Sequence, residues 1–219
     1  MARCSIGGVV VAAALFALGG CAAATREPSN LDSLKRQVRA YAEGGDYQRD
    51  IATVAGRARA WIEHRIAQGG AKLAVVFDLD ETLFFNWPHL KAADFGYVRP
   101  EWDRWVEEAK APAIEPVRDV YRLARKLGAE VILITGRPER ARAATERNLR
   151  AIGCADHVAL ICKGNDDRGT SAAFKTAARR RLAGEGWVII ANLGDQESDL
   201  AGGFAERTFK LPNPFYLTE

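Results

Sequence analysis

Residues 75–85 read Val-Val-Phe-Asp-Leu-Asp-Glu-Thr-Leu-Phe-Phe. The apolar, β-branched run that opens this stretch reads as a buried strand. It ends abruptly in Asp78 and Asp80. Burying uncompensated carboxylates is costly, so this strand end must meet water, a metal or a substrate. The chain is thereby constrained to a sheet with chemistry at one edge.

The surrounding pattern tells what kind of sheet. Strand signals at 73–77, 130–134, 158–161, 187–191 and 208–211 are separated by helical periodicity at 117–127, 138–151 and 171–183. Such alternation argues an α/β fold. The strands lack polar alternation, as expected when helices cover both faces of a parallel sheet. Two further helical patterns, 31–43 and 46–68, precede the first strand, and the second stops at Gly69-Gly70. The expected architecture is a Rossmann-like, doubly wound, mainly parallel sheet with N-terminal helices. A small helical cap is inserted after the first strand, at about 84–116. With 219 residues, 48% of them hydrophobic, one core suffices, and 31–219 reads as a single domain.

The head of the chain reads as an export leader. Arg3 is followed by an apolar run, Val9 to Leu18, too short for a comfortable membrane span. The segment Leu18-Gly19-Gly20-Cys21 resembles a bacterial lipobox, in which Cys21 is acylated and becomes the mature N-terminus. Residues 1–20 are then the signal peptide and 21–30 a tether. Ala22 after the cysteine implies sorting to the outer membrane, facing the periplasm of a bacterial cell envelope. Membrane partnership runs through the lipid on Cys21.

Charge is high but balanced, with 31 basic and 28 acidic residues and a net charge of +3. That argues against a nucleic-acid polymer as partner. The basic clusters at 137–150 and 179–181 have helical spacing and read as solvated helix faces. Export permits a disulfide between Cys154 and Cys162. Their placement on either side of the predicted third strand favours two small buried thiols, and a bridge stays open.

In doubly wound sheets ligands bind outside the carboxyl ends of the strands. Four polar groups collect there: Asp78-x-Asp80, then Thr135-Gly136-Arg137, then Lys175 on a helix, then Gly194-Asp195-Gln196-Glu197-Ser198-Asp199. With these motifs the chain resembles the haloacid dehalogenase superfamily. The longer strings Phe-Asp-Leu-Asp-Glu-Thr, Leu-Ile-Thr-Gly-Arg-Pro, Phe-Lys-Thr-Ala and Gly-Asp-Gln-x-Ser-Asp-Leu are similar to its secreted acid phosphatases. That group includes plant vegetative storage proteins and bacterial lipoprotein acid phosphatases.

The resemblance implies a Mg²⁺-dependent acid phosphatase acting on small phosphate monoesters through an aspartyl-phosphate. Mg²⁺ would be held by the Asp78 and Asp195 side chains and the Asp80 backbone carbonyl. Asp78 is the implied nucleophile, and Asp80 the implied proton donor and acceptor. Thr135, Gly136 and Lys175 would bind phosphate, helped by the helix that follows Gly136. Asp199 would support Lys175 or a metal-bound water, or simply cap a loop. A 5′-nucleotidase, a phosphotransferase on the same scaffold and a non-enzymatic storage lipoprotein are the alternatives.

Phosphate chemistry leaves the leaving group open. The insertion carries Trp87, Tyr97, Trp102 and Trp105. Trp87, Tyr97 and Trp102 are candidates for an aromatic substrate wall. Trp102 and Trp105, three apart on a short helix, equally suit packing of the cap onto the core. His89 reads as a surface histidine.

Overall fold

In a computed structural model, residues 27–218 and Met1 are described. The leader and Cys21 lie outside the described residues. No helix among the described residues is long and apolar enough to cross a membrane.

Five strands form one parallel sheet in the order β3-β2-β1-β4-β5. They are β1 (Leu73–Phe77), β2 (Glu130–Pro138), β3 (Ala159–Lys163), β4 (Val188–Gly194) and β5 (Thr208–Lys210). Strand order reverses beside β1, because the chain runs outward through β2 and β3 and then returns to β4. That reversal leaves a crevice between the ends of β1 and β4.

The helices are α1 (Leu31–Glu43), α2 (Asp46–Ala67), α3 (Trp87–Ala92), α4 (Arg99–Glu108), α5 (Glu115–Lys126), α6 (Arg142–Ala151), α7 (Ser171–Gly184) and α8 (Glu197–Leu200). Successive strand residues point to opposite faces, and the two cores show it. Val75, Phe77, Val131 and Leu133 pack with Ile51 and Ile62 of α2, Tyr121 of α5 and Leu149 of α6. Ala74, Val76, Ile132 and Ile134 pack with Ala178 and Leu182 of α7. A doubly wound sheet follows from that division. Burial of each large side chain stabilises it by about 1.5–3 kcal/mol.

The insertion after β1 is the expected small cap, built from α3 and α4. Its base is clasped by backbone bonds, with Phe85 N donating to Pro112 O (2.8 Å) and Ile114 N to Leu83 O (3.0 Å). Helix α1 braces its outer side. Lys35 and Arg39 pair with Asp94, and Glu43 with Lys91, each at 2.6 Å. These pairs are exposed and individually weak; they set position more than stability.

Three expectations shift. Strand β3 starts and ends later than 158–161, so Cys162 lies within it rather than beyond it. Cys154 and Cys162 are free and buried. Burial pushes their thiols up to about 12 and about 11, which makes them inert. Strand β2 runs on to Pro138 through an irregularity after Thr135. A 3-10 turn, Glu139–Ala141, then intervenes before α6. The N-terminus of α6 is therefore not beside Gly136, as a helix starting at 138 would have placed it.

Candidate active site

The first site element is the turn after β1. Asp78 N donates to Leu193 O (2.9 Å), which seats Asp78 against the end of β4. The chain then folds back tightly. Thr82, Leu83 and Phe84 amides all reach Leu79 O, at 3.2, 2.9 and 2.8 Å. This turn forces Glu81 to φ +54°, a conformation that costs a non-glycine residue energy. What holds it is a fully buried Glu81 carboxylate that accepts from Asn86 N (2.8 Å), Asn86 Nδ2 (3.2 Å) and the Tyr216 hydroxyl.

Asp78, Asp195 and Asp199 bring one carboxylate oxygen each to within 4.8 Å of one another, all buried. Lys175, on α7, reaches into this group. Its Nζ donates to Asp78 Oδ1 and to Asp199 Oδ1 (2.5 Å). Asp199 performs both roles the sequence left open. Its Oδ1 holds Lys175, while its Oδ2 accepts from Gln196 N (2.8 Å) and caps α8. A Cβ at Gly194 would lie 2.4 Å from the Cβ of Asp199, so this close approach requires glycine there.

Asp80 lines the same cavity as Asp78. Its carboxylate is gripped by Arg137, with Nη2 at 2.6 Å from Oδ1 and Nε at 3.0 Å from Oδ2, and by Asn86 Nδ2 at 3.0 Å. The Arg137 guanidinium also lies over the Phe84 ring (4.8 Å) and near the Trp102 ring (5.8 Å). The carboxyl implied to donate and accept the proton is thus tethered to the second strand.

Thr135 is fully buried, and its Oγ1 accepts from Arg137 N (3.1 Å). It shapes the turn that exposes Gly136 to the cavity. Nothing lies closer than Ser171 Oγ at 4.0 Å from a Cβ built at Gly136, so the space there is open to a ligand. The helix end bordering the cavity belongs to α7, through Ser171, and not to α6.

The cavity has a volume of about 780 Å³. Asp78, Lys175 and Asp195 line it, with Tyr97 and Trp102 on the cap side. Trp87 does not line it. Packed against Phe95 and Phe215 at 5.9 and 5.3 Å between ring centroids, it is a core residue. Trp105 also turns inward, donating to Asn86 Oδ1 (2.8 Å). His89, expected at the surface, is half-buried and stacks on Trp105 at the cavity wall. Burial pushes its pKa down.

Two arginines taken for solvated helix charges are also buried. Arg137 is described above. Arg179 donates to the backbone carbonyls of Asp199 (2.6 Å), Gly203 (3.0 Å) and Ala201, which fixes the loop behind Asp199. Each tolerates burial because acceptors surround its fork of donors.

A site with this acidic crevice, this lysine and this cap now stands beside what is known of other proteins. The profile of the HAD superfamily, subfamily IIIB (Acid phosphatase) matches residues 19–219. The chain belongs to that family of acid phosphatases. It is similar to acid phosphatase 1 of Solanum lycopersicum, 38% identical over 82% of this chain and 72% of the relative. It is also similar to vegetative storage protein 1 of Arabidopsis thaliana, 31% identical over 85% and 73%. The fold matches the class C acid phosphatase of Bacillus anthracis solved with tungstate bound, at TM-score 0.71 and 23% identity over 84% of this chain and 86% of that one. The phosphatase is a phosphoric monoester hydrolase on a HAD-like fold.

The donor set of the phosphatase suits a divalent cation. Burial is the main cause that raises Asp78 well above the usual carboxylate range, opposed by Lys175. Burial and the neighbouring Asp199 push Asp195 up to about 7. Glu81 is also raised to about 7, by burial and by Asp80. One lysine cannot offset that charge, whereas a hard cation with oxygen ligands can.

The sign for stability follows. An acid raised in the folded state contributes most below its unfolded value and loses that contribution as pH rises through the folded one. For Asp195 and Glu81 the window runs from about pH 4 to beyond pH 7. Lys175, raised further above its ordinary value by Asp78 and Asp199, does not titrate there. Metal-free protein is therefore expected to melt at a higher temperature at pH 5 than at pH 8. A divalent cation held by this donor set should raise the midpoint more at pH 8. Scanning calorimetry across this range with and without chelator checks both.

Proposed function

We propose that this phosphatase hydrolyses small phosphate monoesters with Mg²⁺, by way of a phosphoryl group carried on Asp78. The observation that carries the reading is the pairing of Asp78 with Lys175 on the floor of the cavity, beside Asp195. Asp78, Asp195 and the Asp80 backbone carbonyl would hold the ion, with Asp199 behind them. Bound there, Mg²⁺ supplies positive charge that offsets repulsion between carboxylate and phosphate.

The chain's own residues account for the rest. Lys175 keeps Asp78 oriented and brings a compact cation to the phosphate. Asp78 attacks phosphorus, and the ester oxygen departs. Asp80 delivers the proton to that oxygen, then takes one from the water that releases phosphate. To do so it must exchange its bond to Arg137 for one to the leaving group. Gly136 and the first turn of α7 leave room and amide donors for the phosphate oxygens. Tyr97 and Trp102 receive the leaving group, which favours flat aromatic alcohols over sugars.

The test is hydrolysis of p-nitrophenyl phosphate by the full chain in mild detergent. Turnover with Mg²⁺ that stops with chelator is expected. Absence of turnover between pH 4 and 8 would refute the reading. Lipid anchoring through Cys21, in the cell envelope and at the outer membrane facing the periplasm, rests on the leader sequence. Under it, Cys21→Ser moves the protein from the membrane fraction to the soluble one; continued membrane association speaks against acylation.

A further inference from the structure

The segment Asn213–Thr218 follows β5 and crosses back over the site. Tyr216, Leu217 and Thr218 line the cavity. Phe215 anchors the segment in the core, its ring against Tyr47 (5.4 Å) and Trp87 (5.3 Å). Two side-chain amides of this region converge on one oxygen. Asn213 Nδ2 and Gln196 Nε2 each donate to Asp195 Oδ2 at 2.7 Å.

The orientation of both amides is set by the backbone of the same segment. Asn213 Oδ1 accepts from Phe215 N (2.8 Å), so its NH₂ must face Asp195. Gln196 Oε1 accepts from Thr218 N (3.1 Å), so its NH₂ must do the same. Asn213 sits between Pro212 and Pro214. Pro214 fixes its own φ and restricts the residue before it. The amide is thus held in place at little entropic cost.

We infer that the segment 213–218 is a strap that orients the metal ligand Asp195 through Asn213 and Gln196. The two amides occupy Oδ2. Oδ1, which among the described residues accepts only a 3.2 Å bond from Thr82 Oγ1, is left with lone pairs for a cation. Asn213 and Gln196 are positioning residues, since neither would touch the ion. The inference rests on the reading of Asp195 as a ligand. Partners that orient metal ligands in this way typically govern affinity by 10–100-fold.

The experiment is a calorimetric titration of Mg²⁺ into the full chain in mild detergent, without substrate. Asn213→Ser retains a hydroxyl to accept from Phe215 N but is too short to reach Asp195. Its Kd for Mg²⁺ is expected to rise about 10–100-fold, while a single cooperative unfolding transition in chelator shows that the variant is folded. Gln196→Met should act in the same direction. The double variant should lose less than the two separate losses combined, because both amides serve one oxygen. If Asn213→Ser does not fold, Gln196→Met carries the same expected loss alone. Wild-type affinity in a folded variant overturns the strap. No saturable Mg²⁺ binding by the wild type overturns the metal site itself, and the strap with it.

Discussion

Asp78→Asn is expected to abolish turnover and, at the same time, to raise the melting temperature of the metal-free protein. The amide cannot attack phosphorus, and loss of a nucleophile that acts within a unit costs on the order of 10⁴-fold or more in kcat. Stability moves the other way because Asp78 is a buried carboxylate whose neighbours Asp199 and Asp195 repel it. Lys175 keeps its partner Asp199 at 2.5 Å, so no unpaired cation is left behind. Residual turnover above 1% of wild type, measured with p-nitrophenyl phosphate at saturating Mg²⁺, would show that another residue attacks.

Lys175→Ala is expected to have the largest effect on stability. Lys175 is 4% exposed and bonds two carboxylates. Removing one member of a buried ion pair costs about 3–5 kcal/mol, because the remaining charge stays desolvated. Here two charges remain. The loss should be greater at pH 8 than at pH 5, since protonation of the raised carboxylates relieves it at low pH. Combining it with Asp78→Asn should restore much of the lost stability and none of the activity. Denaturant titration of the four proteins in chelator reads this cycle. Equal losses at pH 5 and pH 8 would mean that packing, and not charge, is what Lys175 supplies.

The parts of the fold that could be read in advance were those written in short-range pattern. Helices α1 and α2 and the β1 strand follow from periodicity and from the Gly69-Gly70 stop. Asp78 and Asp195 could be placed together because strand ends of a parallel sheet share one edge, and the family motifs brought Lys175 of α7 and Asp199 of α8 to them. What stayed hidden depends on tertiary partners. Arg137 and Arg179 look like any helix-spaced arginine until their acceptors, Asp80 and three carbonyls, are seen. Trp87 and Tyr97 are alike in a sequence, yet one packs on Phe215 and the other faces the cavity. The tail after β5 is a further case. Its signal was available in Pro212-Asn213-Pro214, a rigid frame around one amide, but nothing local says that the frame is aimed at Asp195.

The central claim is that the phosphoryl group passes through Asp78. The direct measurement uses Asp80→Asn, which should still form the intermediate from p-nitrophenyl phosphate, whose leaving group needs no proton, but should hydrolyse it slowly. The protein is quenched in acid during turnover with Mg²⁺ and mapped by peptide mass spectrometry. The account predicts one phosphoryl group on the peptide that contains Asp78, at that residue, and none when Asp78 is also changed to Asn. Turnover with an unmodified Asp78 peptide, or with the phosphoryl group on another side chain, would contradict it.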